Sequence, residues 1–105
     1  MGFESALKKL AEKWPEKFTY WHGQYPYIWV SNREIFIDQI TQDSIDEILG
    51  LIGWLAWVEY DEEFKMWYGI GLRLSDGFKF ITREHKEKPA AYQHILTSVV
   101  ERECQ

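Results

Sequence analysis

Cysteine is nearly missing from this chain. Cys104 stands alone among 105 residues, so no internal disulfide can form, and a single thiol suits a reducing cytosol. Long apolar runs are missing too: none approaches the ~20 residues that cross a bilayer. The first residues lack the cationic and apolar segments of a secretory leader. Together these absences lead to the expectation of a cytoplasmic protein with no membrane partner. Basic charge is scarce in one long stretch. Residues 34–63 hold nine acidic side chains (Glu34, Asp38, Asp43, Asp46, Glu47, Glu59, Asp61, Glu62 and Glu63) and no Lys or Arg, within a chain of net charge −5. Such a block repels nucleic-acid backbones and attracts basic surfaces.

Aromatic side chains are abundant instead, at 17% of the residues with six Trp, which argues against disorder and for large buried or interfacial groups. A chain of this length forms one domain, residues 1–105, and can bury roughly two-thirds of its unfolded surface.

The apolar spacing of Phe3, Ala6, Leu7, Leu10, Ala11 and Trp14 predicts an amphipathic helix that Pro15 ends. Phe18 to Trp21 reads equally as a short strand or an aromatic loop. Tyr27–Val30 and residues 34–38 read as a hairpin turning near Ser31, Asn32 and Arg33, its arms apolar enough to be covered on both faces. A second helix is expected over residues 43–52, with Ser44 and Glu47 spaced as a capping box and Gly53 at its end. A third begins at Pro89 and carries Tyr92, Ile95, Leu96, Val99 and Val100 on one face.

Between the last two helices, residues 54–83 read as a three-stranded antiparallel meander. Apolar alternation favours a turn of Asp61, Glu62 and Glu63, pairing Val58 with Met66 and Trp57 with Trp67. Around Ser75, Asp76 and Gly77 it favours a second three-residue turn, pairing Leu74 with Phe78 and Leu72 with Phe80. One face then holds Trp54, Ala56, Val58, Tyr60, Phe64, Met66, Tyr68, Ile70, Leu72, Leu74, Phe78 and Phe80, a core. The other holds Leu55, Trp57, Trp67 and Ile81 around Gly69 and Gly71, too apolar for a wet sheet face. The expected class is α+β: a mainly antiparallel sheet of about five strands, a hairpin plus a meander, packed with three helices in the order α-β-β-α-β-β-β-α.

No motif carries catalysis or a cofactor. His22, His85 and His94 sit in different elements without ligand spacing, so no metal is expected. Ser31, Ser44 and Ser75 have turn or cap positions and no nucleophile elbow surrounds them. Gly69-Ile70-Gly71 is half a dinucleotide fingerprint inside a strand, which does not cradle phosphate. The expectation is therefore no enzyme and no cofactor, and the acidity argues against nucleic acid as a ligand.

The expected function is protein binding. Leu55, Trp57, Trp67 and Ile81, flanked by Asp61, Glu62 and Glu63, form the candidate interface for a partner with a basic surface. By charge and size this suits a stoichiometric inhibitor or immunity-type protein acting on a basic, nucleic-acid-processing enzyme. Two alternatives stand beside it. One is a homodimeric assembly protein using the Trp57/Trp67 face. The other is a small-ligand domain with an aromatic pocket of Tyr20, Trp21, His22, Tyr25 and Tyr27.

Overall fold

A computed structural model describes residues 1–104. Helix α1 (Phe3–Lys13) buries Ala6, Leu7 and Leu10 and gives way at Trp14, next to Pro15. Strand β1 (Phe18–Trp21) pairs antiparallel with β2 (Tyr27–Val30), which pairs in turn with β3 (Arg33–Phe36). Ser31 and Asn32 join the last two with φ of 49° and 65°, the two-residue turn whose twist matches that of a hairpin. A 3₁₀ turn, Ile37–Gln39, leads into helix α2 (Gln42–Leu51). Strands β4 (Trp54–Asp61), β5 (Met66–Arg73) and β6 (Lys79–Ile81) make a second antiparallel meander, followed by helix α3 (Lys88–Glu103).

The class is α+β, as expected, but the strands form two sheets of three rather than one of about five. Residues 18–21 supply the extra strand by pairing with the edge of β2. The sheets are separate because helices lie between them. Helix α1 packs on β1 and on α3, and α3 packs on β4 and β5, with α2 against α3 and β4. One apolar cluster links all of these elements, from Leu7 and Phe18 to Trp54 and Leu96. The first turn of α2 also differs from expectation. Thr41 is the cap, its side-chain oxygen accepting from the Ser44 backbone N–H at 3.3 Å, so Ser44 lies inside the helix and is buried.

The register of the second sheet departs from the apolar-alternation rule. Trp57 faces Ile70 and Tyr60 faces Trp67, so the turn between β4 and β5 has four residues, 62–65, with Lys65 at φ 54°. The turn between β5 and β6 also has four, 74–77, with Gly77 in the left-handed region. Each change of one or three positions reverses a strand's faces. The inner face therefore carries Trp54, Ala56 and Val58 from β4, Gly69 and Gly71 from β5, and Phe80 from β6. Only β5 is turned over relative to the expectation. The reason is steric. A methyl group on Gly69 would overlap the Ile95 side chain and reach within 3.1 Å of the Ala91 carbonyl oxygen, and one on Gly71 would overlap the Phe80 ring. Gly69 is the slot in which α3 lies, and Gly71 makes room for the Phe80 ring beside it.

A polar chain closes one end of this slot. The Trp54 indole, 1% exposed, donates to Glu103 Oε1 at 3.0 Å, and Arg73 donates to the same oxygen at 3.3 Å. Arg73 also forks onto Asp76 at 3.0 and 2.8 Å, holding that carboxyl down to about 2. At the other end the connector after β6 is fastened by His85. Its backbone exchanges two hydrogen bonds of 2.6 Å with Trp67, and its Nε2 lies 2.8 Å from His94 Nδ1.

Two predictions follow the packing. Gly69→Ala should cost about 1–3 kcal/mol in a urea titration, because α3 must move away from β5; unchanged stability would mean that the helix does not sit this close. The histidine pair gives a pH dependence. Burial lowers both pKa values, with His94 and then Arg83 adding to the effect at His85, and Arg83 at His94, where Glu101 opposes it. The neutral rings are favoured in the folded state. Their contribution is whole above the unfolded value of 6.5 and drains away as pH falls below it toward the folded values. Urea midpoints should drop between about pH 7.5 and pH 5.5, and His94→Gln should flatten that drop. Asp76 plays no part in this window, since its contribution is lost only below its ordinary value of 3.8.

Candidate protein-binding face

Turning β5 over moves its large side chains outward. The outer face of the second sheet is built from cross-strand rows. Leu55 faces Leu72, which faces Lys79; Trp57 faces Ile70, which faces Ile81; Glu59 faces Tyr68, and Asp61 faces Met66. Alternation along each strand puts these residues on one side, and no helix packs there because α3 and α2 use the other. Leu55 and Ile81 are 49% and 63% exposed. Ile70, at 4%, is buried, with Trp57 paired to it on one side and Ile81 on the other.

The apolar rows end in a fixed acidic corner. Both oxygens of Glu59 accept hydrogen bonds, from Tyr68 Oη at 2.7 Å and Trp57 Nε1 at 3.3 Å. The tyrosine's pKa is raised, first by that bond to Glu59 and also by desolvation and the charges of Asp61 and Glu84. Asp61 Oδ1 accepts from the backbone N–H of Glu63 at 3.0 Å, which orders the turn. Glu84 approaches the same corner, and its carboxyl is pushed up by desolvation and by Asp61 and Glu63. The corner therefore concentrates negative charge beside an exposed apolar surface. Glu62 occupies the same turn and is exposed.

The structure thus brings Leu55, Trp57, Ile81 and Asp61 onto one surface, with Glu62 and Glu63 at its corner. Trp67 is not part of it. Its ring lies on the inner side, 4.9 Å from Tyr60 and 5.3 Å from the Lys88 ammonium. A surface shared by Trp57 and Trp67 does not exist in this register. The residues that sequence reasoning missed are Tyr68, Ile70 and Leu72. The signal that could have found them is the glycine pair. Two glycines at alternate positions of one strand mark close approach of another element.

The acidic run is divided as well. Glu47 on α2 is ion-paired with Arg33, while Glu59, Asp61, Glu62 and Glu63 gather around the β4–β5 turn. The aromatic side chains of residues 20–27 do not form one pocket. Tyr20 faces inward and donates to Glu4 at 2.6 Å, with burial and that bond pushing its pKa up to about 12. Trp21 and Tyr27 lie side by side on the outer face, ring centroids 6.4 Å apart, and Tyr25 is exposed in the connecting loop. That outer face is open rather than covered, with Trp21 and Trp29 both exposed. Among the described residues no three His, Cys, Asp or Glu side chains converge as metal ligands, and no helix is long and apolar enough to cross a membrane.

Neither a known family model, nor a curated protein, nor a solved structure matches this chain.

The two kinds of position on this face separate by stability. Ile70→Ala should cost roughly 2 kcal/mol, at the low end for a buried isoleucine because its neighbours can settle into the gap. Leu55→Asp and Ile81→Asp should change the urea midpoint by less than about 0.5 kcal/mol, as exposed surface substitutions do. A large loss at either exposed site would mean that the face is packed against something within the protein.

Proposed function

We propose that the chain is a non-catalytic protein-binding module that docks through the outer face of β4, β5 and β6. The observation that supports this best is the apolar row of Trp57, Leu72 and the exposed Leu55 and Ile81 around buried Ile70, on a sheet whose opposite face packs against α3 and α2. Contiguous exposed apolar surface of this kind marks interaction sites, and a central Trp beside a shielded aliphatic is the composition of a binding hot spot. The acidic corner sets the kind of partner: an apolar patch bordered by Lys or Arg. Charges at the rim speed encounter with such a surface more than they tighten the final complex. A nucleic-acid-processing enzyme, whose basic cleft the chain would cover as a stoichiometric antagonist, is a partner class with that character.

Paired baits test this reading. The wild-type chain and the folded double variant Leu55→Asp/Ile81→Asp are each immobilised and exposed to lysate of the source organism, with cross-linking. A basic protein retained by the wild type should be lost with the variant, its affinity falling at least ~30-fold, and its association rate should drop as salt rises. Retention of the same proteins by both baits would remove the face from the interaction. Light scattering of the two purified chains separates self-association: a dimer that the double variant abolishes would make a second copy the occupant.

A further inference from the structure

The chain has four arginines, and they divide into two kinds. Arg33 is paired with Glu47, and Arg73 with Asp76 and Glu103. Among the described residues, Arg83 and Arg102 have no carboxylate partner, and both line the same cleft. The cleft, about 330 Å³, lies between the end of β6 and the last turns of α3, and His94, Ser98 and Glu101 complete its polar wall. On a chain of net charge −5, two guanidinium groups in one concavity without a carboxylate partner among the described residues call for an explanation other than solubility.

Each group has a defined chemical state. The Arg102 guanidinium is held over Phe78 and Phe80, 4.5 and 5.4 Å from the ring centroids, which orders the plane and leaves its N–H edge free. Arg83 lies near enough to both histidines to disfavour their charged forms. His85, pinned by its backbone to Trp67, meets His94 Nδ1 with its own Nε2. When His85 donates, His94 Nδ1 is the acceptor and its remaining proton sits on Nε2, the other side of the ring. The Thr82 hydroxyl is already committed, accepting from Gly69 N–H and donating to the Arg83 carbonyl. Among the described residues, the Ser98 hydroxyl makes no side-chain hydrogen bond and so is available.

We propose that this cleft binds a small hydroxylated phosphate monoester through its phosphate. Arg83 and Arg102 supply the charge and the forked donors that suit phosphate oxygens, and His94 Nε2–H and Ser98 O–H supply directed neutral donors. Glu101 repels the phosphate itself and accepts from a hydroxyl elsewhere on the ligand, which favours a polyhydroxy ester over inorganic phosphate. The cleft volume falls at the lower end of the range for small-molecule sites. The inference does not rest on the docking face of the second sheet.

Glycerol phosphate and inorganic phosphate are the probes, titrated into the full chain and followed by amide chemical shifts. Saturating shifts should appear at Thr82, Arg83, Ser98 and Glu101, with glycerol phosphate the tighter ligand. Arg83→Gln and Arg102→Gln should each weaken binding by tenfold or more, consistent with loss of a charged hydrogen bond. Arg33→Gln, removed from an existing ion pair elsewhere, should leave it unchanged. Circular dichroism confirms that each variant is folded before it is scored. The proposal is overturned if sodium chloride at matched ionic strength gives the same shifts, or if both folded cleft variants bind like the wild type.

Discussion

The contact between Ile95 of α3 and the bare backbone of Gly69 governs the second half of this molecule. A helix can approach a sheet so closely only where a strand offers no side chain, and β5 offers none at two alternate positions. Once the glycines face the helix, the pleat forces Tyr68, Ile70 and Leu72 to the opposite side. The apolar outer face is thus a by-product of close packing on the inner one. The same contact places Trp54 against the last turn of α3, where Glu103 and Arg73 meet its indole.

This accounts for what could and could not be read from the residues alone. The faces of α1 and α3 follow their apolar spacing, since Leu7, Leu10, Ile95, Leu96 and Val99 are all fully buried. The meander's existence and order were legible too, as were the inward directions of Trp54 and Phe80. Register was not. Alternation scores Met66, Tyr68, Ile70 and Leu72 as a core row because it counts side-chain size and cannot see a helix that needs an empty groove. With β5 reversed, each turn gained a residue, and the three-residue loops became four-residue ones. Leu55, Trp57 and Ile81 survived as a group because β4 and β6 kept their faces, whereas Trp67 went with its strand. The separation into two sheets was hidden for a similar reason. Nothing local in Phe18–Trp21 says whether it joins β2 or remains a loop, and that choice is made by α1 packing on it.

Charge behaves in the same divided way. In linear order residues 34–63 look like one acidic tract, but folding neutralises Glu47 with Arg33 and sends Glu59, Asp61, Glu62 and Glu63 to the far turn of the second sheet. What remains is a smaller cluster beside half-buried Trp57, fixed by Tyr68 and by the backbone of the turn. At the end of β6 the balance reverses, where Arg83 and Arg102, without a carboxylate partner among the described residues, line a cleft beside the His85–His94 pair. One short chain therefore presents an anionic border at the β4–β5 turn and a cationic hollow between β6 and α3.

Helix α3 follows all the other described elements in the chain, yet both preceding helices and two strands of the second sheet lean on it. Until it emerges, the gap over Gly69 has no occupant and α1 lacks the helix that Leu7 and Leu10 pack toward. Nascent chains must therefore hold much of their future interior in contact with water, and closure comes in one late step rather than by halves. Such a fold should assemble all at once or not at all.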